Sequence, residues 1–331
     1  MKYRELKSFK RKINFLKEMF SRSGKPGFLW YRIKWNYFPR FGIAPSFPTH
    51  VDIEVTDTCN LRCIMCVQGT EKNLKTGFID TGFAMEMIRQ VARGGAYSVK
   101  FNWRGEPVLY RRLPELILYA KQQGIQEVQI NTNGLVFSED SIRSIIEAGL
   151  DRIIFSVDGN SEETYEKIRV GGNFKRLVAN IESFIRIRKD LNRTKPFMRV
   201  QMVRMKENTG EVEGFYKRWE GKVDDIRISD VTDRGQGDYL CVGDQIAVGR
   251  RRCPQPWQRM VVNREGLVMP CCSDWHCRLV IGDAKKTLLT DIWKGQKMKK
   301  FRELVSGKAL DEFDPCKLCF VKESYVWESK K

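Results

Sequence analysis

The stretch Cys59-Asn60-Leu61-Arg62-Cys63-Ile64-Met65-Cys66 follows a strand-like run, Val51-Asp52-Ile53-Glu54-Val55. Thiols at a C-x3-C-x2-C spacing can wrap one corner of an iron–sulfur cube, because Cys thiolates are the usual ligands of such clusters. Three ligands for a four-iron cluster leave one iron open, and an open iron can bind something. The competing readings are a zinc knuckle and inert buried thiols. A structural zinc wants a fourth ligand nearby, yet His50 and His276 are the only histidines in the chain. The cluster reading is the stronger one.

Around this stretch lie 331 residues, enough to bury a sizeable core in one large domain with a smaller one attached. Lys and Arg number 59 against 41 acidic residues, a net of +18. Residues 1–50 carry twelve Lys/Arg and two Glu, so over half of the excess sits there. Ten cysteines would suggest disulfides in a small secreted chain. Here the N-terminus is charged throughout, with no apolar signal-like core, and no run is long and apolar enough to span a bilayer. The expected setting is a reducing, cytoplasmic compartment, with thiols kept for clusters.

Residues 1–20 read as an amphipathic helix, with Leu6, Phe9, Ile13, Leu16 and Phe20 at spacings of three and four and Lys/Arg elsewhere. After Gly24-Lys25-Pro26-Gly27 comes an aromatic, basic stretch holding Phe28, Trp30, Tyr31, Trp35, Tyr37, Phe38 and Phe41. Residues 1–45 could lie on the anionic inner face of a membrane or simply pack on the outside of the main domain. Nothing resembles a nucleic-acid reading motif.

From residue 50 strand and helix alternate. Strand-like runs fall near 51–56, 97–103, 126–132, 151–157, 197–204 and 223–230; helical segments include 81–93, 112–123, 139–148, 173–189 and 210–219. Six βα units in a row predict an α/β fold with a parallel sheet, open or closed into a barrel. In such sheets the chemistry gathers at the carboxyl ends of the strands. The cysteine loop follows the first strand, Arg104-Gly105-Glu106-Pro107 the second, Asn131-Thr132-Asn133-Gly134 ends the third and Ser156-Val157-Asp158-Gly159 the fourth. Each alone would be a common turn. Four in succession on one face carry weight.

The cysteine spacing and these turns resemble the radical S-adenosylmethionine (SAM) enzymes, whose fold is a partial (β/α)6 TIM-like barrel. The resemblance implies a 4Fe-4S cluster on Cys59, Cys63 and Cys66 with SAM on its open iron. Gly105-Glu106-Pro107 looks like the family's Gly-Glu motif for the methionine amino group, although Arg104 precedes it where Gly is commoner. Ser156 and Arg169 resemble the groups that hold the methionine carboxylate and ribose, and Asn133 is a further candidate contact. A zwitterionic ligand does need an acceptor for its ammonium and donors for its carboxylate. A surface helix charge is the alternative for Arg169.

After residue 240 the alternation stops. Arg250-Arg251-Arg252 leads into Cys253, then come Cys271-Cys272 and later Cys316-Lys317-Leu318-Cys319. Between them, Met260 to Met269 reads as a hairpin turning at Glu265-Gly266, which would draw Cys253 and Cys271 together. A helix-like segment covers about 291–306. The C-x12-G-x4-C hairpin and later C-x2-C resemble the SPASM and twitch extensions of radical SAM enzymes. That implies a second, auxiliary 4Fe-4S cluster on Cys253, Cys271, Cys316 and Cys319; structural zinc is the alternative. The full SPASM pattern has further cysteines, whereas Tyr325 stands where the next would fall, which favours the one-cluster twitch type. Hairpin register selects Cys271 over Cys272.

The expected organisation is a basic N-terminal extension over 1–49, a radical SAM core over 50–235, a linker over 236–252 and a small α+β cluster domain over 253–331. The resemblance implies an oxidoreductase, fed by reduced flavodoxin or ferredoxin, whose SAM-derived radical takes hydrogen from a small molecule or glycan. Oxidation or epimerisation of a sugar, polyol or lipid-linked sugar leads, by likeness of the cysteine layout to aminocyclitol dehydrogenases. Peptide maturation and a non-catalytic iron–sulfur or zinc protein are the alternatives. Asp230, Asp233 and Arg234, after the sixth strand, are acid/base or substrate-binding candidates, with loop capping as the plainer reading. Cys241 and Cys277 are either buried apolar side chains or, in an epimerase, thiols that return hydrogen.

Overall fold

A computed structural model describes residues 27–70, 76–230, 253–307 and 316. The amphipathic segment 1–20, the candidates Asp233, Arg234, Cys241 and Cys319, and the linker over 236–252 lie outside the described residues. The chain enters through a helix, α1 (Phe28–Phe41), where the aromatic stretch was read without an assigned structure. Gly42, in the left-handed region at φ 68°, ends it, and the Ile43 N–H closes back on the Phe38 carbonyl at 2.9 Å.

The alternating units follow as expected. They are β1 (His50–Ile53), α2 (Val67–Thr70), α3 (Thr81–Arg93), β2 (Ser98–Lys100), α4 (Leu113–Gln122), β3 (Glu127–Thr132), α5 (Glu139–Glu147) and β4 (Arg152–Ser156). Then come α6 (Glu162–Ile168), α7 (Phe174–Asp190), β5 (Phe197–Arg204), α8 (Val212–Trp219) and β6 (Asp225–Asp230). Local chemistry sets several starts. Asp80 accepts from the Phe83 N–H, Ser138 and Ser141 form a reciprocal capping box, and Asn173 accepts from the Arg176 N–H.

β1 to β6 pair in parallel in the order 6-5-4-3-2-1. With right-handed crossovers, a strand order that never reverses puts every connecting helix on one face. That face is apolar. Val51, Ile53, Val99, Val128, Ile130, Ile153, Phe155, Met198 and Val200 are buried in one cluster with α3 (Met87, Ile88, Val91), α4 (Leu116, Ile117), α5 (Ile142, Ile145) and α7 (Leu177, Ile181, Phe184). The helical contributors recur at three- and four-residue spacing, as a single buried stripe requires.

The opposite face is polar. Reading across the register, Asp52 pairs with Lys100, Lys100 with Gln129, and Asn131 with Ile154. Ile154 pairs with Arg199, Ser156 with Gln201, and Gln201 with Arg227. Deep in this face Asp52 takes Lys100 at 2.9 Å and Arg259 at 3.2 Å, and Glu127 takes Arg152 at 3.0 Å. Buried charges require such pairing.

The C-terminal segment continues the same sheet. After α9 (Gln255–Gln258), β7 (Arg259–Val262) runs parallel to β1 on its free side, and β8 (Leu267–Met269) and β9 (Gly282–Asp283) follow antiparallel. The sheet is open, with β6 and β9 at its edges among the described residues. The single helix expected over 291–306 is two, α10 (Leu289–Lys294) and α11 (Gln296–Ser306). They break at Gly295, where a Cβ would stand 2.9 Å from the Asp291 carbonyl oxygen. No described helix is long and apolar enough to cross a membrane.

Candidate active site

The cysteine loop leaves the carboxyl end of β1 and is pinned on two sides. The Arg62 N–H donates to Val170 O at 2.9 Å and the Ile64 N–H to Ile168 O at 3.0 Å, so the loop runs beside the segment that follows α6. On the other side α2 packs so close that a Cβ on Gly69 would stand 2.2 Å from Cys63 O. This pairing brings Arg169, 106 residues away in sequence, to Cys63, where its Nη1 donates to Sγ at 3.5 Å. The surface-charge reading of Arg169 is thereby set aside.

Arg169 is held by Asp158, which accepts from Nε at 2.8 Å and also from Nη2. Burial works against the guanidinium charge, but Asp158 and the Cys63 sulfur outweigh it and raise its pKa. Asp158 is itself fixed, fully buried and in the left-handed region at φ 53°. It takes the Val203 N–H at 2.6 Å on its carboxylate, and the Asn208 side-chain amide at 2.9 Å on its carbonyl. Asp158 and Asn208 are positioning residues absent from the sequence-derived set. The turn after β4 pointed to the first; the second had no sequence signal.

Gly105 sits at φ 68°, and a Cβ there would meet Thr56 O at 2.4 Å, so both conformation and space require glycine. The Glu106 N–H donates to Thr58 O at 2.8 Å, tying the turn after β2 to the cysteine loop. Glu106 is buried, and its carboxylate accepts from the Asn133 N–H at 2.7 Å, the Thr132 hydroxyl at 2.8 Å and the Val108 N–H at 3.2 Å. Burial pushes its pKa up to about 7 despite these donors. Asn133 then reaches across, its amide nitrogen 2.9 Å from Asn60 Oδ1 and 4.0 Å from Cys59 Sγ. Ser156, half-buried at the carboxyl end of β4, faces the same polar side.

The cysteine loop, Glu106, Asn133 and Arg169 are thus linked through the turns that follow β1, β2, β3 and α6. Burial pushes the Cys59 thiol up to about 12, with Glu106 and the other two sulfurs adding to the effect. The Leu61, Asn133 and Arg169 N–H groups aimed at the Cys59 and Cys63 sulfurs suit ligated thiolates. The residues fit an iron–sulfur cluster.

A second network joins this site to the C-terminal hairpin. Glu54, fully buried, accepts from Arg104 Nε at 2.8 Å and Nη2 at 3.0 Å, and from the Arg264 N–H at 3.3 Å. Arg264 Nε reaches Asp57 at 2.8 Å. Arg104 Nη1 donates to Trp275 O at 3.1 Å and Trp103 Nε1 to Cys272 O at 2.8 Å. Cys272 and Cys277 pack with Trp103, Val261 and Met269. Cys271 Sγ instead accepts from the Ser273 N–H at 3.3 Å, and Cys253 and Cys316 pack against the main core. Of the catalytic candidates only Asp230 falls on a described element, at the end of β6 opposite Arg204.

Residues 53–198 match the model of the radical SAM superfamily, and residues 253–320 match the SPASM model, an iron–sulfur cluster-binding domain. The chain belongs to the radical SAM superfamily. It is an enzyme of that superfamily carrying a SPASM domain, with SAM, a SAM-binding 4Fe-4S cluster and an auxiliary cluster as its cofactors. A probable GTP 3',8-cyclase of Methanococcus maripaludis is 30% identical over 135 residues, covering 41% of this chain and 45% of that protein. The chain therefore spans under half of that relative's length. The S-adenosyl-L-methionine-dependent 2-deoxy-scyllo-inosamine dehydrogenase of Niallia circulans is 21% identical over 274 residues, 81% of this chain and 91% of that one.

Among solved structures, BtrN in complex with AdoMet and 2-DOIA has a TM-score of 0.57 at 20% identity, covering 84% of this chain and 94% of that one. Streptococcus suis SuiB bound to precursor peptide SuiA has 0.60 at 14%, covering 86% and 72%. These two likenesses concern the fold alone.

Proposed function

We propose that this radical SAM enzyme oxidises a small, hydroxyl-rich molecule, a sugar or polyol, at a carbinol carbon. The observation that carries the reading is the polar sheet face. Lys100, Asn131, Gln201 and Arg227 stand on the side that bears Ser156 and leads up to Arg169 and the cysteine loop. Amides and cations at alternate positions suit hydroxyl and anionic groups. The near full-length likeness to an aminocyclitol dehydrogenase supports the same class.

When bound, the first cluster and SAM supply a hydrogen-abstracting radical, and the auxiliary cluster supplies an electron acceptor. The chain's own part is placement. Ser156 and Arg169 hold the carboxylate and ribose of SAM, and Gly105 lets the turn backbone reach its amino group. Glu106 braces Asn133 against the cysteine loop. Asp230, ending β6, is the candidate to take the hydroxyl proton. Cys253, Cys271, Cys316 and Cys319 hold the auxiliary cluster, and a flavodoxin or ferredoxin supplies the reducing electron. The described parts of the core and of the C-terminal segment share one sheet because β7 pairs with β1.

The test is anaerobic turnover of the reconstituted enzyme with SAM, reductant and 2-deoxy-scyllo-inosamine or a nucleotide sugar, deuterated at the carbinol carbons. Deuterium in 5′-deoxyadenosine with a matching amount of ketone is the expected result. Deuterium transfer from a precursor peptide and none from any polyol would overturn the reading in favour of peptide maturation.

A further inference from the structure

Helix α1 has two unlike faces. One closes the floor of the sheet. Phe28 is buried, Tyr31 stacks on Tyr97 with centroids 4.4 Å apart, Trp35 meets His50 edge-on at 6.1 Å, and Gln258 donates to Trp35 O at 2.7 Å. His50 opens β1, Tyr97 precedes β2 and Gln258 precedes β7, so the helix lies against the amino ends of the strands.

The other face carries Trp30, Lys34, Tyr37 and Phe41 at spacings of four, three and four, a single stripe on a helix. Leu29, Trp30 and Phe41 are 63%, 53% and 71% exposed, and Tyr37 and Ile43 are exposed beside them. Lys34 lies over the Trp30 ring at 5.4 Å and Arg40 over Tyr37 at 5.1 Å. No acidic residue occurs between Glu18 and Asp52, and the 26 residues leading into the helix bring nine more Lys/Arg against two Glu.

We propose that this face of α1 is a docking surface for an anionic phospholipid bilayer. Exposed indole, phenol and phenyl rings interleaved with cations, and no carboxylate among them, complement an interface of negative headgroups over acyl chains. A protein partner would have to be acidic and apolar at once along a helix roughly 21 Å long; a bilayer has that character everywhere. The placement has a consequence for the substrate. The cysteine loop and Arg169 lie at the carboxyl ends of the strands, so the floor rests on the bilayer and the site opens away from it. The substrate arrives from the aqueous side, which disfavours a sugar still embedded through its lipid.

The test uses the full-length chain in vesicle sedimentation, with phosphatidylglycerol and phosphatidylcholine vesicles. Two variants accompany it, Trp30→Ser/Tyr37→Ser/Phe41→Ser and Lys34→Glu/Arg40→Glu, each checked for an unchanged melting curve. The expected result is binding to phosphatidylglycerol at least ten-fold tighter than to phosphatidylcholine, with each variant at least ten-fold weaker than the parent. Absence of parent binding overturns the proposal. So do variants that bind like the parent, an outcome that assigns attachment to residues 1–26 instead. SAM cleavage slowed ten-fold or more by bound vesicles would overturn the orientation. All these readouts are independent of which substrate is oxidised.

Discussion

Arg104 occupies a position where the family's turn more often has glycine, and its side chain takes on structural work. It forks onto the fully buried Glu54 and holds the Trp275 carbonyl, clasping the loop after β8 to the turn that carries Gly105 and Glu106. Removing one partner leaves a buried carboxylate without its counter-charge, which typically costs about 3–5 kcal/mol. Arg104→Ala should therefore lower the unfolding free energy by about that much in denaturant titration, and Arg104→Lys by less than half of it, since lysine keeps the charge but loses the fork. Equal losses would point to packing rather than the ion pair. The departure at residue 104 was legible in the sequence. Its reason was not, because the partners lie 50 and 171 residues away and no local pattern links them. Arg169 was legible only as a candidate, since its place depends on the loop pairing Arg62–Val170 and Ile64–Ile168.

At the scale of elements, the alternation placed all six strands, β5 to the residue but β2 with seven residues expected where three pair, and the short α2 and α6 were not read. The polar strand face was not recognised. Asp52, Lys100, Gln129, Arg199 and Arg227 alternate with apolar neighbours, yet only the one-sided helix layer reveals that their face is the inner one. The break at Gly295 was also missed, since glycine is tolerated within many helical patterns.

The junctions between elements carry a pH signature. Asp151, between α5 and β4, accepts from Lys121 at 2.6 Å, from Lys195 and from the Val128 N–H at 3.0 Å. Burial would raise its pKa, but the lysines and the N–H hold it below the ordinary 3.8. A depressed carboxylate stabilises the fold above its unfolded pKa, and the contribution drains away as pH falls through the lower folded value. Asp151→Asn should cost about 1–3 kcal/mol at pH 7, discounted for the exposed lysines. The gap to the parent should narrow below about pH 4 in urea titrations. A gap that stays constant down to pH 2 would contradict the assignment.

At the scale of the whole molecule, the pairing of β7 with β1 joins to one sheet two cysteine sets almost two hundred residues apart in sequence. The first set leaves the carboxyl end of β1, and Cys253 and Cys271 flank the β7–β8 hairpin, whose turn the Glu54–Arg104–Asp57–Arg264 network ties to the end of β1. The sequence showed both sets and the hairpin but not this pairing, because adjacency of a seventh strand to the first is a property of sheet order. The proposed division of labour is that the set after β1 activates SAM and the set around β7 does not. The most direct measurement is the yield of 5′-deoxyadenosine after anaerobic reconstitution with SAM and dithionite. The parent and a Cys253→Ala/Cys271→Ala variant should both release it, and a Cys59→Ala/Cys63→Ala/Cys66→Ala variant should release none. Release by that last variant, or none by the fully reconstituted parent, would contradict the account.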